Sequence, residues 1–520
     1  MLARTMSVAV LGLEGHPVEV EADVANGLPG CRVVGLPDAS VQESRDRVRA
    51  AVVNAGLTWP DRRMTLNLSP GEIPKMGTAF DLPIALAVLA AGQSLDPEAI
   101  RGVWSLAELG LDSRLRPVRG VLTAALAARE AGAGLLLVAP ENLAEARLVP
   151  GLTCRAVVDL ASALALVSRG VGDGEDSAVE APVSLPAACG LGRSPGGGDL
   201  AEVKGQPLAK RALEVAAAGG HNLLLIGPPG AGKTMLARRL PGILPPLEAE
   251  EALTVTRVYS AAGLLPPGSS LVTERPFRAP HHSVSLAGMV GGGVGVAMPG
   301  QVSLAHCGVL FLDEMAEFPP AVLNALRQPL EEGMVTIVRS RCAVSYPASF
   351  ALVAATNPCP CGYLGSGVRP CRCEPARAAA YLNRLSGPML DRIDLHVQVG
   401  RVPVAELTAG VVGESSQEVR ARVMEVRARQ ADRAAWAGAT TNARVPGSRL
   451  DALCRLGPEA RRLLSRSVES AVLSARSYDR VRRVARTVAD LAGSEVVGED
   501  EVAEALMMRN LDRALGQSGG

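Results

Sequence analysis

At 520 residues, and with about 150 residues as a working domain size, the chain has room for about three units, each able to bury its own core. Lys and Arg number 53 and Asp and Glu number 53, a formal charge of zero that excludes a histone-like basic protein or an acidic tail and leaves nucleic-acid contacts to local patches. Hydrophobic residues make up 48% of the chain but Phe, Tyr and Trp only 13 positions, so the core is aliphatic and base stacking is a poor way for this protein to grip single strands.

The opening stretch, MLARTMSVAVLGLEGHPVEV, has no apolar run ahead of its first acid and alternates like a strand, so no export signal is expected. SVAVLGL and VEVEADV flank Gly15-His16-Pro17, which predicts a hairpin turning there; VQESRDRVRAAVVNAG has helical apolar spacing that stops at Gly56. Residues 1–170 therefore read as an α+β domain. The Gly, Pro and Ser content from Gly170 to Asp199 predicts a linker over 171–198. A second unit opens near Leu200, with Pro207 in the first turn of a helix that ends at Gly219-Gly220, followed by the short apolar strand NLLLIG. This α/β core is expected over 199–400, and from 401 to 520 the pattern is helical. The longest stretch without a charged residue, Ala279 to Leu312, is broken by glycines, Pro299 and three histidines, so it cannot span a membrane. A soluble, cytoplasmic protein is expected.

Gly227-Pro228-Pro229-Gly230-Ala231-Gly232-Lys233-Thr234 matches the phosphate-loop pattern in full, between an apolar strand and the helical KTMLARRL. Glycines let backbone N–H groups close around phosphate oxygens, and the start of the following helix adds its positive end. Lys233 reaches the β and γ phosphates, and the Thr234 hydroxyl can ligate Mg²⁺. Eighty residues after Lys233, the strand Val309-Leu310-Phe311-Leu312 delivers Asp313 and Glu314, the first suited to hold Mg²⁺ and the second to polarise the attacking water. A further apolar strand, FALVAAT, leads to Asn357, placed to orient water or read the γ-phosphate, or simply to start the Asn-Pro turn. Of the ten cysteines, four cluster as Cys359-x-Cys361 and Cys371-x-Cys373 around a Gly-rich loop. Four thiolates so gathered suit tetrahedral Zn²⁺, although C-x-C is tighter than the usual spacing; free thiols on a surface loop are the alternative.

Together with VKGQPLAKRALEVAAAGG, RPFRAPHHSVSLAGMVGGG, LRQPLEEG, ATNPCPCG and SGPMLDRIDLH, these motifs resemble the AAA+ ATPases, and more narrowly the magnesium-chelatase-like group of the ComM/YifB type. The resemblance implies an AAA+ P-loop core with a C-terminal helical lid, a homo-hexameric ring, and ATP with Mg²⁺ between subunits. It implies sensor 1 at Asn357, a trans-acting arginine finger at Arg392 and sensor 2 at Arg476, with Arg480 as the competing choice, and it sets Val203 and Gly205 against adenine. It also implies a hairpin insert within Arg275 to Gly300 that faces the ring pore, which makes Arg278, His281 and His282 candidate DNA contacts; from the residues alone the two histidines could instead be metal ligands. The N-terminal unit resembles the proteolytic domain of Lon, a ribosomal-protein-S5-domain-2-like fold, with Ala79 and Leu122 where Lon carries its serine and lysine, so protease chemistry is absent. From Arg455 to Arg486 nine Arg stand against three acids, a surplus that serves DNA, subunit contacts or plain solvation equally well. The function implied is an ATP-driven DNA motor, a helicase or branch-migration translocase on branched or single-stranded DNA in recombination and natural transformation. The alternative is an ATPase subunit driving metal insertion, as in magnesium chelatase.

Overall fold

A computed structural model describes residues 1–169, 198–266, 268, 271–293, 297–338, 343–367, 369–385, 387–408, 413–469 and 475–509. The expected linker, 171–198, lies outside these residues except for its last position. Among the described residues no helix is long and apolar enough to cross a membrane.

The first unit is a seven-stranded mixed sheet in the order Gly30–Val34, Arg63–Ser69, Glu14–Ala25, Leu2–Leu11, Val103–Leu106, Leu135–Val138, Thr153–Ala156. Its opening hairpin exists, but the turn is Gly12-Leu13, with Leu11 opposite Glu14. Gly12 supplies a positive φ of 67°. Gly15, His16 and Pro17 are instead strand residues, opposite Val10, Ala9 and Val8. Pro17 is tolerated because the next strand begins to pair only at Glu19, so no partner needs its missing N–H. The helix Ala39–Asn54 is capped by Asp38, whose carboxylate accepts from Val41 N at 2.8 Å, and the chain leaves it through Gly56 at φ 75°. The helix Asp81–Ala91 is buried along its whole length. Its one charge, Asp81, accepts from Arg47 Nε at 3.0 Å and Nη2 at 3.1 Å and from Leu109 N at 3.2 Å.

The second unit is a five-stranded, wholly parallel sheet in the order Phe277–Arg278, Val309–Leu312, Ala351–Thr356, Leu223–Ile226, Leu395–Gln398. The three strands in the middle of that order are short, apolar and buried, as parallel strands covered on both faces must be. Their C-terminal ends open on one edge, where ligands bind in such sheets. Beyond Gln398 the described chain is helical: Ser416–Ala437, closed at its start by a Ser415/Glu418 capping box, then Pro458–Glu469, Ala475–Leu491 and Glu499–Met507. These helices share one apolar cluster with Pro207–Gly219 and the central strands. The two sheets meet through the helix Ala249–Ala262: Gly120 N donates to Ser260 O at 3.3 Å, Ser260 Oγ bonds the buried Glu145, and Arg257 donates to Leu13 O.

Candidate nucleotide-hydrolysis site

The strand Leu223–Ile226 runs into the phosphate loop, and the helix Lys233–Ile243 leaves it. Gly230 and Gly232 stand at φ 75° and 90°, angles a side chain would strain. Gly227 passes so close to the neighbouring segment that a Cβ would lie 2.0 Å from Val399 O. The loop is therefore bare backbone, the surface a polyphosphate needs. Lys233 Nζ donates to Gly227 O at 2.6 Å, Pro228 O at 3.1 Å and Asn357 Oδ1 at 3.1 Å. Burial pushes its pKa down, opposed by Asp313 and then Glu314. Thr234 Oγ1 donates to Asp313 Oδ2 at 2.7 Å, the hydroxyl–carboxylate pair that fits Mg²⁺. Asp313 Oδ1 in turn accepts from Glu314 N at 3.0 Å. Glu314 itself adopts φ 51°, a left-handed conformation costing about 1–2 kcal/mol for a non-glycine residue. Its carboxylate is half-exposed at the sheet's opening. Lys233, Thr234, Asp313 and Glu314 thus come together at one end of the sheet, with a lysine and a hydroxyl–carboxylate pair beside the mouth of the loop.

The thiols expected to gather do so. Cys359, Cys361, Cys371 and Cys373 place their sulfurs within 4.8 Å of one another, with separations of 3.4 Å (359–361), 3.6 Å (359–371) and 3.5 Å (361–371). Sulfurs about 2.3 Å from a common tetrahedral centre lie about 3.8 Å apart, whereas a disulfide needs about 2.05 Å. The N–H groups of Arg372 and Tyr363 pull the pKa of the Cys361 thiol down to about 6, while those of Cys371 and Cys373 are raised. The donor set fits a soft divalent ion.

Three family profiles match this chain: "Magnesium chelatase, subunit ChlI" over residues 199–407, "Subunit ChlI of Mg-chelatase" over 20–142 and "Magnesium chelatase, subunit ChlI C-terminal" over 413–509. The chain is 42% identical to YifB of Escherichia coli over 98% of this chain and 97% of that one. It is 41% identical to the competence protein ComM of Haemophilus influenzae over 99% and 98%. It also shares 48% identity with an uncharacterized protein of Mycobacterium tuberculosis over 98% of both. The chain belongs to the magnesium-chelatase-like family of the ComM/YifB type. It is an AAA+ ATPase, and ATP and Mg²⁺ are the ligands this family implies for the site described above.

Within this family's frame the remaining residues fall as follows. Asn357 follows the strand Ala351–Thr356 and accepts from Lys233 Nζ. Gly205 precedes Gln206, which reaches the phosphate loop. Val203 is buried in the cluster that holds Ala231, and Gln206 Nε2 bridges Gly400 O at 2.5 Å and Ala231 O at 3.4 Å. Arg392 donates to Pro388 O at 2.5 Å and pairs with Glu331 of its own chain. Arg476 lies in the helix Ala475–Leu491, but its side chain is outside what is described. Its competitor Arg480 is committed elsewhere, to the buried Asp394 at 2.7 Å. Beside that pair, His221 stands 3.4 Å from the other oxygen of Asp394.

The interval Arg275–Gly300 departs from expectation. Phe277–Arg278 is the edge strand of the core sheet, paired with Val309 and Leu310, so Arg278 is not in a pore hairpin. Arg278 Nε donates to Gln301 Oε1 at 2.9 Å, at the start of the short helix Gln301–Leu304. The hairpin is only Gly291–Gly292 against Met298–Pro299, and its tip lies outside the described residues. His281 is exposed, with Nδ1 2.8 Å from Ser283 Oγ. His282 has its Nδ1 3.6 Å from Glu314 Oε2 and its ring 4.0 Å from that of His281. The contact between His282 and Glu314 has no signature in sequence spacing, since 32 residues separate the two.

In the N-terminal unit, Leu122 is fully buried and Ala79 packs against the same apolar cluster. The two positions that would carry a serine–lysine pair thus face hydrocarbon. The polar group nearest in the chain's bonding is Glu145, which accepts from Leu122 N at 2.7 Å. Burial raises its pKa, and hydrogen bonds from Ser260, Leu122 and Asn142 oppose that rise.

Proposed function

We propose that the protein is a hexameric, ATP-driven motor acting on branched or single-stranded DNA, a helicase or branch-migration translocase in recombination and natural transformation. The observation that carries this reading is full-length similarity to a protein named for competence, joined to a complete hydrolytic set at one sheet edge. In this reading ATP lies between subunits, with Val203 and Gly205 at the adenine and Arg476 as sensor 2. Arg392 leaves Glu331 to serve the neighbouring subunit's nucleotide, supplying a charged fork to the transition state. His281 and His282 face DNA. Zn²⁺ holds the four thiolates, and the N-terminal unit, lacking a dyad at Ala79 and Leu122, works without proteolysis. The chelatase reading draws on the rice chloroplast magnesium-chelatase subunit, but that similarity is 27% over 24% of the chain.

The deciding experiment measures ATP turnover with single-stranded, double-stranded and four-way-junction DNA near physiological salt. Stimulation by at least one form is expected. A wild-type rate that ignores all three sinks the motor reading and makes the chelatase-type reading the leading one.

A further inference from the structure

The strand that ends in Asn357 does not stop at the nucleotide site. Two residues later it delivers Cys359, the buried member of the thiol cluster. The chain then turns, with Gly362 N donating to Cys359 O at 2.9 Å, and comes back over the phosphate loop. At Gly362, φ is +81° and a Cβ would stand 2.5 Å from Pro229 Cδ, 2.9 Å from Pro229 Cγ and 3.7 Å from Asn357 Cγ. Only bare backbone fits there, so the first half of the cysteine loop lies flat against the phosphate loop. The two arms of that loop are tied twice. Three sulfur pairs lie within 3.6 Å, and the Arg369 guanidinium sits 3.6 Å over the Tyr363 ring, a cation–π contact joining residues next to the two thiol pairs.

From this geometry we infer that the cysteine loop is a metal-held buttress of the nucleotide site: a soft divalent ion, Zn²⁺ by its chemistry, locks the four thiolates so that Gly362 holds Pro229 and Asn357 in the shape that receives the nucleotide polyphosphate. The inference rests on the proposal that the thiolates hold zinc, and goes beyond it by making ATP affinity depend on that metal. Without the ion, four thiols that repel when ionised have no common partner, and a Gly-rich arm regains its backbone freedom. The phosphate loop then loses the surface against which Pro229 is packed. Displacement of a supporting group typically costs about 10–100-fold in the function it supports, and the lower end suits a contact that spares Lys233 and Thr234.

The test uses the full chain. Zinc per chain is measured by elemental analysis, and binding of a fluorescent ATP analogue with excess Mg²⁺ is titrated as purified, after removal of zinc with phenanthroline and desalting, and after zinc is restored. About one zinc per chain, an affinity about tenfold weaker on stripping and recovery on reloading are expected. Zinc present with affinity unchanged on stripping overturns the buttress and leaves the zinc site standing. No zinc, with all four thiols titratable, overturns both.

Two alanine variants keep the question open to refutation even where stripping unfolds the chain, as followed by circular dichroism. Gly362→Ala retains the thiolates but drives a methyl group into Pro229, and should keep its zinc while binding the analogue about tenfold more weakly. Gly365→Ala imposes a similar backbone cost, at φ +68°, with nothing within 4 Å of its Cβ, and should keep both zinc and affinity. Equal weakening in the two variants, or none in Gly362→Ala, overturns the inference.

Discussion

The two sheets of this protein are both layered with Ala- and Leu-rich helices, yet they present different chemistry at their helix and strand ends. At the ATPase sheet, strand ends bring Asn357 into contact with Lys233 and Asp313 into contact with Thr234, with Glu314 next to Asp313. In the N-terminal unit, the side chains of Ala79 and Leu122 pack in an apolar cluster, and two of the buried charges, Asp81 and Glu145, hold helices and join the two units. Layered α/β architecture accounts for both units; activity follows only where polar groups converge unsatisfied by the fold itself. Asp81 is buried and answered by Arg47, whereas the Glu314 carboxylate is half-exposed at the sheet's opening, with His282 beside it.

Breaking the ATPase half of this contrast should give the largest effects. Lys233→Ala should reduce ATP turnover to background, since the phosphates lose their only lysine contact in the loop. Arg392→Ala should bind ATP and assemble normally, yet hydrolyse about 10³-fold or more slowly, the range of a trans-acting arginine. Turnover within a few-fold of wild type would remove Arg392 from that role. Glu314→Gln should slow hydrolysis by about 10²–10⁴-fold while holding ATP, as expected for loss of a base alone; a wild-type single-turnover rate would exclude Glu314 as the base.

In the N-terminal half the expected changes are in stability. Arg47→Ala leaves Asp81 buried and uncompensated, so the unit should lose about 3–5 kcal/mol by denaturant unfolding, with the nucleotide affinity of the remaining folded protein unchanged. Glu145→Gln should do little at acid pH and be neutral or mildly stabilising at pH 7–8. The sign follows from the raised pKa of Glu145: the folded protein favours its protonated form, so wild type gains stability as pH falls through that pKa and pays for the buried charge above it. Gln keeps an oxygen for Leu122 N and Ser260 Oγ and carries no charge, so the Tm gap between the two proteins should narrow on acidification. A gap that widens instead contradicts the assignment. The smallest expectation is zero: the protein should not cleave an unfolded polypeptide in ATP, and Ala79→Ser should not confer cleavage, because Leu122 offers no base. Peptide products from wild type that vanish in Lys233→Ala would overturn the contrast altogether.

Local chemistry in the sequence was enough to establish the phosphate loop, the paired carboxylates and the thiol cluster. Each is a short run in which spacing alone puts the right atoms together: eight residues around a helix start, two acids on an apolar strand, two C-x-C pairs on a Gly-rich loop. What the sequence left open depended on contacts between segments far apart in the chain. The turn moved to Gly12-Leu13 because pairing register, set by neighbouring strands, outweighs the local appeal of Gly-His-Pro. Arg278 left the expected hairpin because only the assembled sheet has an edge for Phe277–Arg278 to join. The meeting of His282 with Glu314 and of Gly362 with Pro229 came from strand order, which sets side by side strand ends that are distant in the chain. No periodicity or spacing encodes such pairs; they follow from packing, where excluded volume and shared sheet edges decide which loops touch.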